Sequence, residues 1–340
     1  MRSVAKSWAA SVALIVVASA CSAGSSTRPS TGTLETGVAP GSPSLAESAT
    51  LPTRPESTAA TPSAVGGGTP IVLATDESGS SALWTYSARG GWVRTASTSG
   101  ETALGRTPDG IAVAAGQSVE TRTGSNPSAI VRSVALKLDK PMGGMPVVGV
   151  DVSAAGRIAF ATSDGQNIVF GVAGSDGTVA ALDSAPNDPF APDIAWLDET
   201  HLLVMSTDKF QVSRLAIVDI AAKKLTVSAT LAGVHEFAVS GDRSVVVAST
   251  ESGVFVTSPA DIARGAAAKH VLTQEPGAVV WALASNRDGS AVFMMTGTEA
   301  SDGSISNMRD VGYTVAGGGW SKSLEVAAPF RNVTSQVSGS

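Results

Sequence analysis

One cysteine, Cys21, stands in 340 residues. No disulfide can therefore form within the chain, and whatever folds must be held by its core. Aromatic residues make up 5% and charged residues 15% of the sequence, and lysine and arginine are nowhere clustered. Neutralising phosphates requires basic clusters, so a nucleic-acid surface is excluded. No apolar run reaches the roughly 20 residues that span a bilayer, and no segment sustains an apolar repeat of helical period. Also missing are a Gly-x-Ser-x-Gly elbow, a His-Glu-x-x-His pair and a phosphate loop. The glycine runs Gly66–Gly68 and Gly317–Gly319 do not open helices, so neither is a nucleotide site. His201, His235 and His270 have no partner at metal-ligand spacing and are expected in turns or on the surface. No cofactor is expected.

What is present begins with a leader. Arg2 and Lys6, no acids, an apolar run from Val12 to Ala18 and the small residues Ser19 and Ala20 have the layout of a secretory signal, residues 1–20. Cys21 follows Val17-Ala18-Ser19-Ala20 directly, and this resembles the lipobox of bacterial lipoproteins. The resemblance implies diacylglyceryl transfer to the Cys21 thiol, cleavage before it, and a protein held on the extracytoplasmic side of the cell membrane. Each buried methylene contributes about 0.8 kcal/mol, so two or more acyl chains anchor stably. Arginine in excess of lysine and abundant alanine point to an actinobacterial source.

Without Arg2 and Lys6 the chain carries 21 basic against 29 acidic residues, a formal charge of −8. No polybasic segment flanks Cys21, so attachment is expected through lipid rather than charge. From Ser22 to Gly68, 37 of 47 residues are Ser, Thr, Pro, Gly or Ala. Such a segment cannot bury enough apolar surface to offset its ordering entropy. Residues 21–68 are expected to form the lipidated cysteine and a disordered tether with an end-to-end distance of about 40 Å.

Residues 69–340 carry the fold. Short Val, Ile, Ala and Phe runs alternate with Gly, Asp, Asn and Ser, which reads as strands and tight turns. One turn-plus-strand pattern recurs: Thr107-Pro108-Asp109-Gly110 before Ile111, Ser153 to Arg157 before Ile158, Asp198 to His201 before Leu202, Ser240 to Ser244 before Val245, and Asn286 to Ser290 before Ala291. The steps between those apolar positions are 47, 44, 43 and 46 residues, and Ile71 lies 40 before the first. A period of 40–47 residues with about four strands is that of a propeller blade. The first unit supplies three strands, at Ile71–Ala74, Leu83–Tyr86 and Trp92–Thr95. Asn332–Val337 has no blade of its own, so it is expected to pair beside Ile71–Ala74. The spacing predicts an all-β, six-bladed β-propeller of four-stranded antiparallel blades, its ring closed by the C-terminal strand. In period and strand order it resembles WD40-like, TolB-like and lactonase-like propellers, although the Trp-Asp and Gly-His marks of WD40 repeats are missing.

Loops entering the innermost strands converge at a propeller's channel mouth. Asp193 and Glu236 share one register there, each one residue before the apolar anchors Ile194 and Phe237, and His235 adjoins Glu236. Two carboxylates and an imidazole could hold a divalent cation. The equivalent positions elsewhere, Ala103, Gly149 and Ala282, offer no ligand, so a solvated loop rather than a metal or catalytic site is expected. Trp196 and Trp281 are expected to pack between blades, and Asp109-Gly110 and Asp288-Gly289 to supply positive φ in hairpin turns. The expectation is a monomeric, non-catalytic module that binds an envelope protein or ligand. The alternative is a channel-mouth enzyme of the lactonase-like or quinoprotein dehydrogenase kind.

Overall fold

The computed structural model describes residues 70–338, apart from 76–79, 88–90, 98–99, 140–141, 187–192, 209, 211, 300–304 and 331. The leader, Cys21 and the 21–68 segment lie outside the described residues. Strands β1–β3 cover Pro70–Thr75, Ser81–Ser87 and Gly91–Ser97. Strands β4–β7 cover Glu101–Thr107, Gly110–Ala115, Ser118–Thr123 and Ile130–Ala135. Strands β8–β11 are Val147–Val152, Ile158–Ser163, Asn167–Ala173 and Val179–Pro186. Strands β12–β15 are Ile194–Asp198, His201–Thr207, Ser213–Asp219 and Lys224–Ala232. Strands β16–β19 are Glu236–Val239, Val246–Thr250, Gly253–Thr257 and Lys269–Thr273, with helix α1 (Pro259–Arg264) between the last two. Strands β20–β24 are Ala278–Ser285, Ala291–Glu299, Ile305–Ala316, Gly319–Ala327 and Asn332–Ser338.

These strands make six four-stranded antiparallel sheets, five of them simple meanders. The first blade instead has the order β24-β1-β2-β3, joining the two ends of the propeller. β24 pairs with β1 from Pro70↔Ser338 to Thr75↔Asn332, with one bulge between Leu73 and Ala74. The innermost strands β4, β8, β12, β16, β20 and β24 touch in that order, and β24 meets β4. The six-bladed ring expected from the spacing is thus present and closed.

The apolar core lies as layers between blades. Ile158, Phe160 and Val134 fill the layer between the second and third blades, and Phe170, Trp196 and Leu202 the next. Ile71, Leu73, Ile111 and Val337 fill the layer between the first and second. Because a blade is covered on both faces, its inner strands read as continuous apolar runs: five successive residues of Ile158–Ser163 are buried. The outermost strands are open along one edge and mostly exposed, as in Ile130–Ala135.

Two local expectations are corrected. Helix α1 was not anticipated, since six residues are too few to show a period. Its marks are the Ser258 side chain capping the Asp261 N–H, Pro259 at the first position and Gly265 at φ 67°. Gly289 does adopt φ 75°, but Gly110 does not have positive φ. Thr107 pairs directly with Gly110 across a Pro108-Asp109 turn, and a Cβ on Gly110 would lie 2.1 Å from the Arg122 carbonyl oxygen. Close approach, not turn geometry, demands that glycine. Among the described residues no helix is long and apolar enough to cross a membrane.

Closure is expected to be indispensable. Deleting residues 332–340 leaves the inner edge of β1 unpaired, an open template for intermolecular pairing. The truncated chain should lose its cooperative thermal transition by circular dichroism and elute as aggregate in size-exclusion chromatography. A monomer with unchanged melting would contradict the role assigned to β24.

Candidate functional site

The six innermost strands enclose a channel, and they run parallel. Near their starts the Phe237 N–H of β16 meets Asp193, which directly precedes β12; near their ends the Trp196 N–H of β12 meets Asp151 of β8. Small residues let the strands approach: a Cβ on Gly105 would sit 1.7 Å from the Val150 carbonyl oxygen of the next blade. The cavity that remains measures about 70 Å³ and is lined by all six strands.

At the level of the strand starts, the structure brings Asp193 and Glu236 together. Their side chains interact, and Asp193 Oδ2 accepts from the Phe237 N–H at 3.3 Å. Burial pushes the Asp193 carboxyl up to about 6, against the opposing pull of those two contacts. Asp193 is half-buried as a residue, yet its carboxyl is closely surrounded by protein, and Glu236 is buried. The expectation of a solvated loop is therefore corrected: the pair faces the hub. His235 is half-buried beside it, with its backbone N–H donated to the Ser249 carbonyl at 2.9 Å. Among the described residues, no three or more His, Cys, Asp or Glu side chains are grouped to hold a metal ion. Ala103 and Ala282 are buried and, with Gly149, present no polar side chain.

The other level holds three charged residues that sequence reasoning missed. Arg106 of β4 reaches across the channel and donates from Nη1 to the Val239 carbonyl of β16 at 3.1 Å, linking opposite blades. Arg243, in the turn after β16, donates from Nη1 to Asp151 Oδ2 at 2.8 Å and from Nη2 to the Val152 carbonyl at 3.4 Å. Asp151 Oδ2 also takes the Trp196 N–H at 2.7 Å. Burial lowers the Arg106 guanidinium to about 10; Asp151 opposes that shift and Arg243 adds to it. The available signal was Asp151 itself, a charge inside the buried run Val147–Val152. The Arg–carbonyl reach carries no mark in sequence.

The remaining candidates sit elsewhere. His201 Nδ1 lies 3.0 Å from Asp198 Oδ2 in an exposed turn, and the His270 ring packs 5.0 Å from that of Phe255. Trp196 is buried between the third and fourth blades and Trp281 is packed between the sixth and first, as expected.

No family model matches the chain, and no curated protein matches it by sequence. Solved structures do. A protein assigned as TolB from Agrobacterium tumefaciens superposes with a TM-score of 0.52 at 10% identity, covering 79% of this chain and 92% of that one. TolB from Acinetobacter baumannii gives 0.55 at 12% identity over 80% of this chain, which spans 66% of that protein's length. At such identity the likeness is one of fold: the chain is a six-bladed propeller similar to TolB.

The hub ion pair yields a stability prediction. Removing one partner of a buried pair costs about 3–5 kcal/mol because the other charge is left uncompensated. With Arg243 partly exposed, Arg243→Ala should fall near the lower end, about 3 kcal/mol by urea denaturation. The double change Asp151→Asn with Arg243→Gln should cost less than Arg243→Ala alone. A larger loss in the double variant would refute the assignment.

Proposed function

We propose that this protein is a non-catalytic binding module, lipid-anchored through Cys21 on the extracytoplasmic side of the membrane, that docks an envelope protein or ligand on a face of its propeller. The observation that carries the reading is the hub. Arg106 spans it to Val239, and the space left is about 70 Å³. Small-molecule sites run to roughly 300–1,000 Å³. A channel of this size admits a few waters, so recognition is assigned to the loops and outer surfaces, as fits a fold that presents many loops on two faces. The TolB-like fold is consistent with this reading and does not select a partner. The lipobox-like run ending at Cys21 supports the anchor, and the acidic, uncluttered surface charge favours neither nucleic acid nor anionic lipid headgroups.

A second reading has one observation behind it. The Asp193–Glu236 pair, with the Asp193 carboxyl pushed up to about 6 by burial, has the form of an acid–base couple for a lactonase-like or quinoprotein-like enzyme working from the channel mouth. Metal analysis of the purified protein discriminates: stoichiometric metal that is lost in the Asp193→Ala, Glu236→Ala variant promotes the enzyme.

Two measurements test the main reading. Cys21→Ser should move the protein from the membrane fraction to the soluble extracytoplasmic fraction and abolish the acyl mass increment. Crosslinking in intact envelopes should recover a defined partner with the wild-type propeller and none with a control bearing only the leader and residues 21–68; an identical yield from both would end the binding-module proposal.

A further inference from the structure

The layer between the sixth and first blades holds an ionisable group, Asp310, with no ion-pair partner. Around it lie Val72 and Ala74 of β1, Ala282 of β20, Met295 of β21, Met308 of β22 and Val333 of β24, with the uncharged indoles of Trp84, Trp92 and Trp281 packed against them. Asp310 of β22 is fully buried there, and Gln336 of β24 is 6% exposed. Gln336 Nε2 donates to Asp310 Oδ1 at 3.3 Å. Asp310 Oδ2 and Gln336 Oε1, the other half of each group, have no hydrogen-bond partner among the described residues. With Asp310 ionised, both are acceptors, side by side in an apolar layer.

A carboxylic acid and a primary amide are complementary as an eight-membered ring: amide N–H to acid carbonyl, acid O–H to amide carbonyl. The first of these bonds is present, and the two atoms left over are the pair that the second would join. We propose that Asp310 and Gln336 form a proton latch on the ring closure: protonated Asp310 donates from Oδ2 to Gln336 Oε1 and clamps β24 to β22, and ionisation breaks that bond and loosens the closing strand. The proton comes from and returns to solvent, and nothing else is consumed.

The surroundings suit this role. Strand partners Met295 of β21 and Val326 of β23 carry no charge, and neither do the residues of the layer on β1, β20 and β24. Arg309, the nearest charged residue in sequence, is directed to Glu275 and Glu325. No charge therefore opposes the effect of burial, which pushes the Asp310 carboxyl up to about 7, with Gln336 pulling the other way. The sign follows. An open closure returns Asp310 to an ordinary carboxyl, so the closed state holds the extra proton between the ordinary value and about 7. The stabilisation is complete in acid, is lost as pH rises through that window, and stays lost above it. An extracytoplasmic propeller would then report external pH through the mobility of its last strand.

Hydrogen exchange on the full-length protein tests this. Corrected for intrinsic rates, opening of the β24 amides should rise by up to about tenfold per pH unit between about pH 5 and 7, then level off. Asp310→Asn replaces the acid by an amide that keeps both bonds, and should show flat, low opening throughout. Gln336→Met removes the acceptor, and should open β24 more than the wild type does at low pH, while the pH dependence set by burial of Asp310 persists. Parallel profiles for wild type and Asp310→Asn, or a Gln336→Met variant that opens no more than the wild type at low pH, would overturn the latch. Should Asp310→Asn not fold, the Asp310 carboxyl carbon shift in the wild type decides: a midpoint near neutrality supports the latch, and one in the ordinary carboxylate range refutes it.

Discussion

Each blade of this ring buries its faces only against its neighbours, so the pairing of β24 with β1 is the contact on which the rest depends. Two apolar layers meet at the first blade, one holding Ile71, Leu73 and Val337, the other Val72, Ala74 and Val333. Both need β24 in place. Loop-closure entropy grows only logarithmically with length, so joining strands some 260 residues apart is a modest cost beside two layers of buried side chains. Alternation along β24 lets the strand serve both sides at once. Val333 and Gln336 turn to the sixth blade, while Val337 packs toward the second and Ser335 Oγ accepts the Leu104 N–H at 3.4 Å. A one-residue slip would exchange those sides and bury Gln336 against Ile111 and Val113.

This architecture was legible because its signal is repeated. Turn residues ahead of Ile111, Ile158, Leu202, Val245 and Ala291 mark one second strand per blade, and all five positions fall within one residue of a strand's start. The orphan strand at Asn332 was informative for the same reason: a unit short by one strand and a surplus strand can only be reconciled by closure. What escaped was everything set by contact rather than by period. Helix α1 is too short to have a period, and Gly110 is glycine because of a carbonyl oxygen from β6 that no local pattern reveals. The bulges, such as that between Leu73 and Ala74, likewise carry no local mark in sequence.

The site divides along the same line. Asp193 and Glu236 occupy one register in adjacent blades, so their meeting could be anticipated from sequence; their burial could not, because it depends on how narrow the hub is. Arg106, Asp151 and Arg243 join blades two or three apart, and the distance between such blades is a property of the closed ring alone. Asp151 and Asp310 did leave a trace. Asp151 stands between buried Val150 and Val152 and Asp310 beside buried Val311, where an unpaired charge would be costly, so each implies a partner from another blade.

The hub explains why those partners are charged. Six blades leave an axis too narrow for a ligand of ordinary size and too polar to stay dry, because the inner strands turn unpaired backbone groups toward it. Arg106 meets that condition from a single side chain: its stem spans the gap and its guanidinium supplies a donor for the Val239 carbonyl on the far wall. A methyl-lined plug would fill the same volume and leave such carbonyls unsatisfied. Buried ion pairs add little net stability against well-packed apolar residues, yet they tolerate few arrangements. Through Arg106, Asp151 and Arg243 the fifth blade is therefore tied across the axis to the second and to the third, contacts with few alternative geometries.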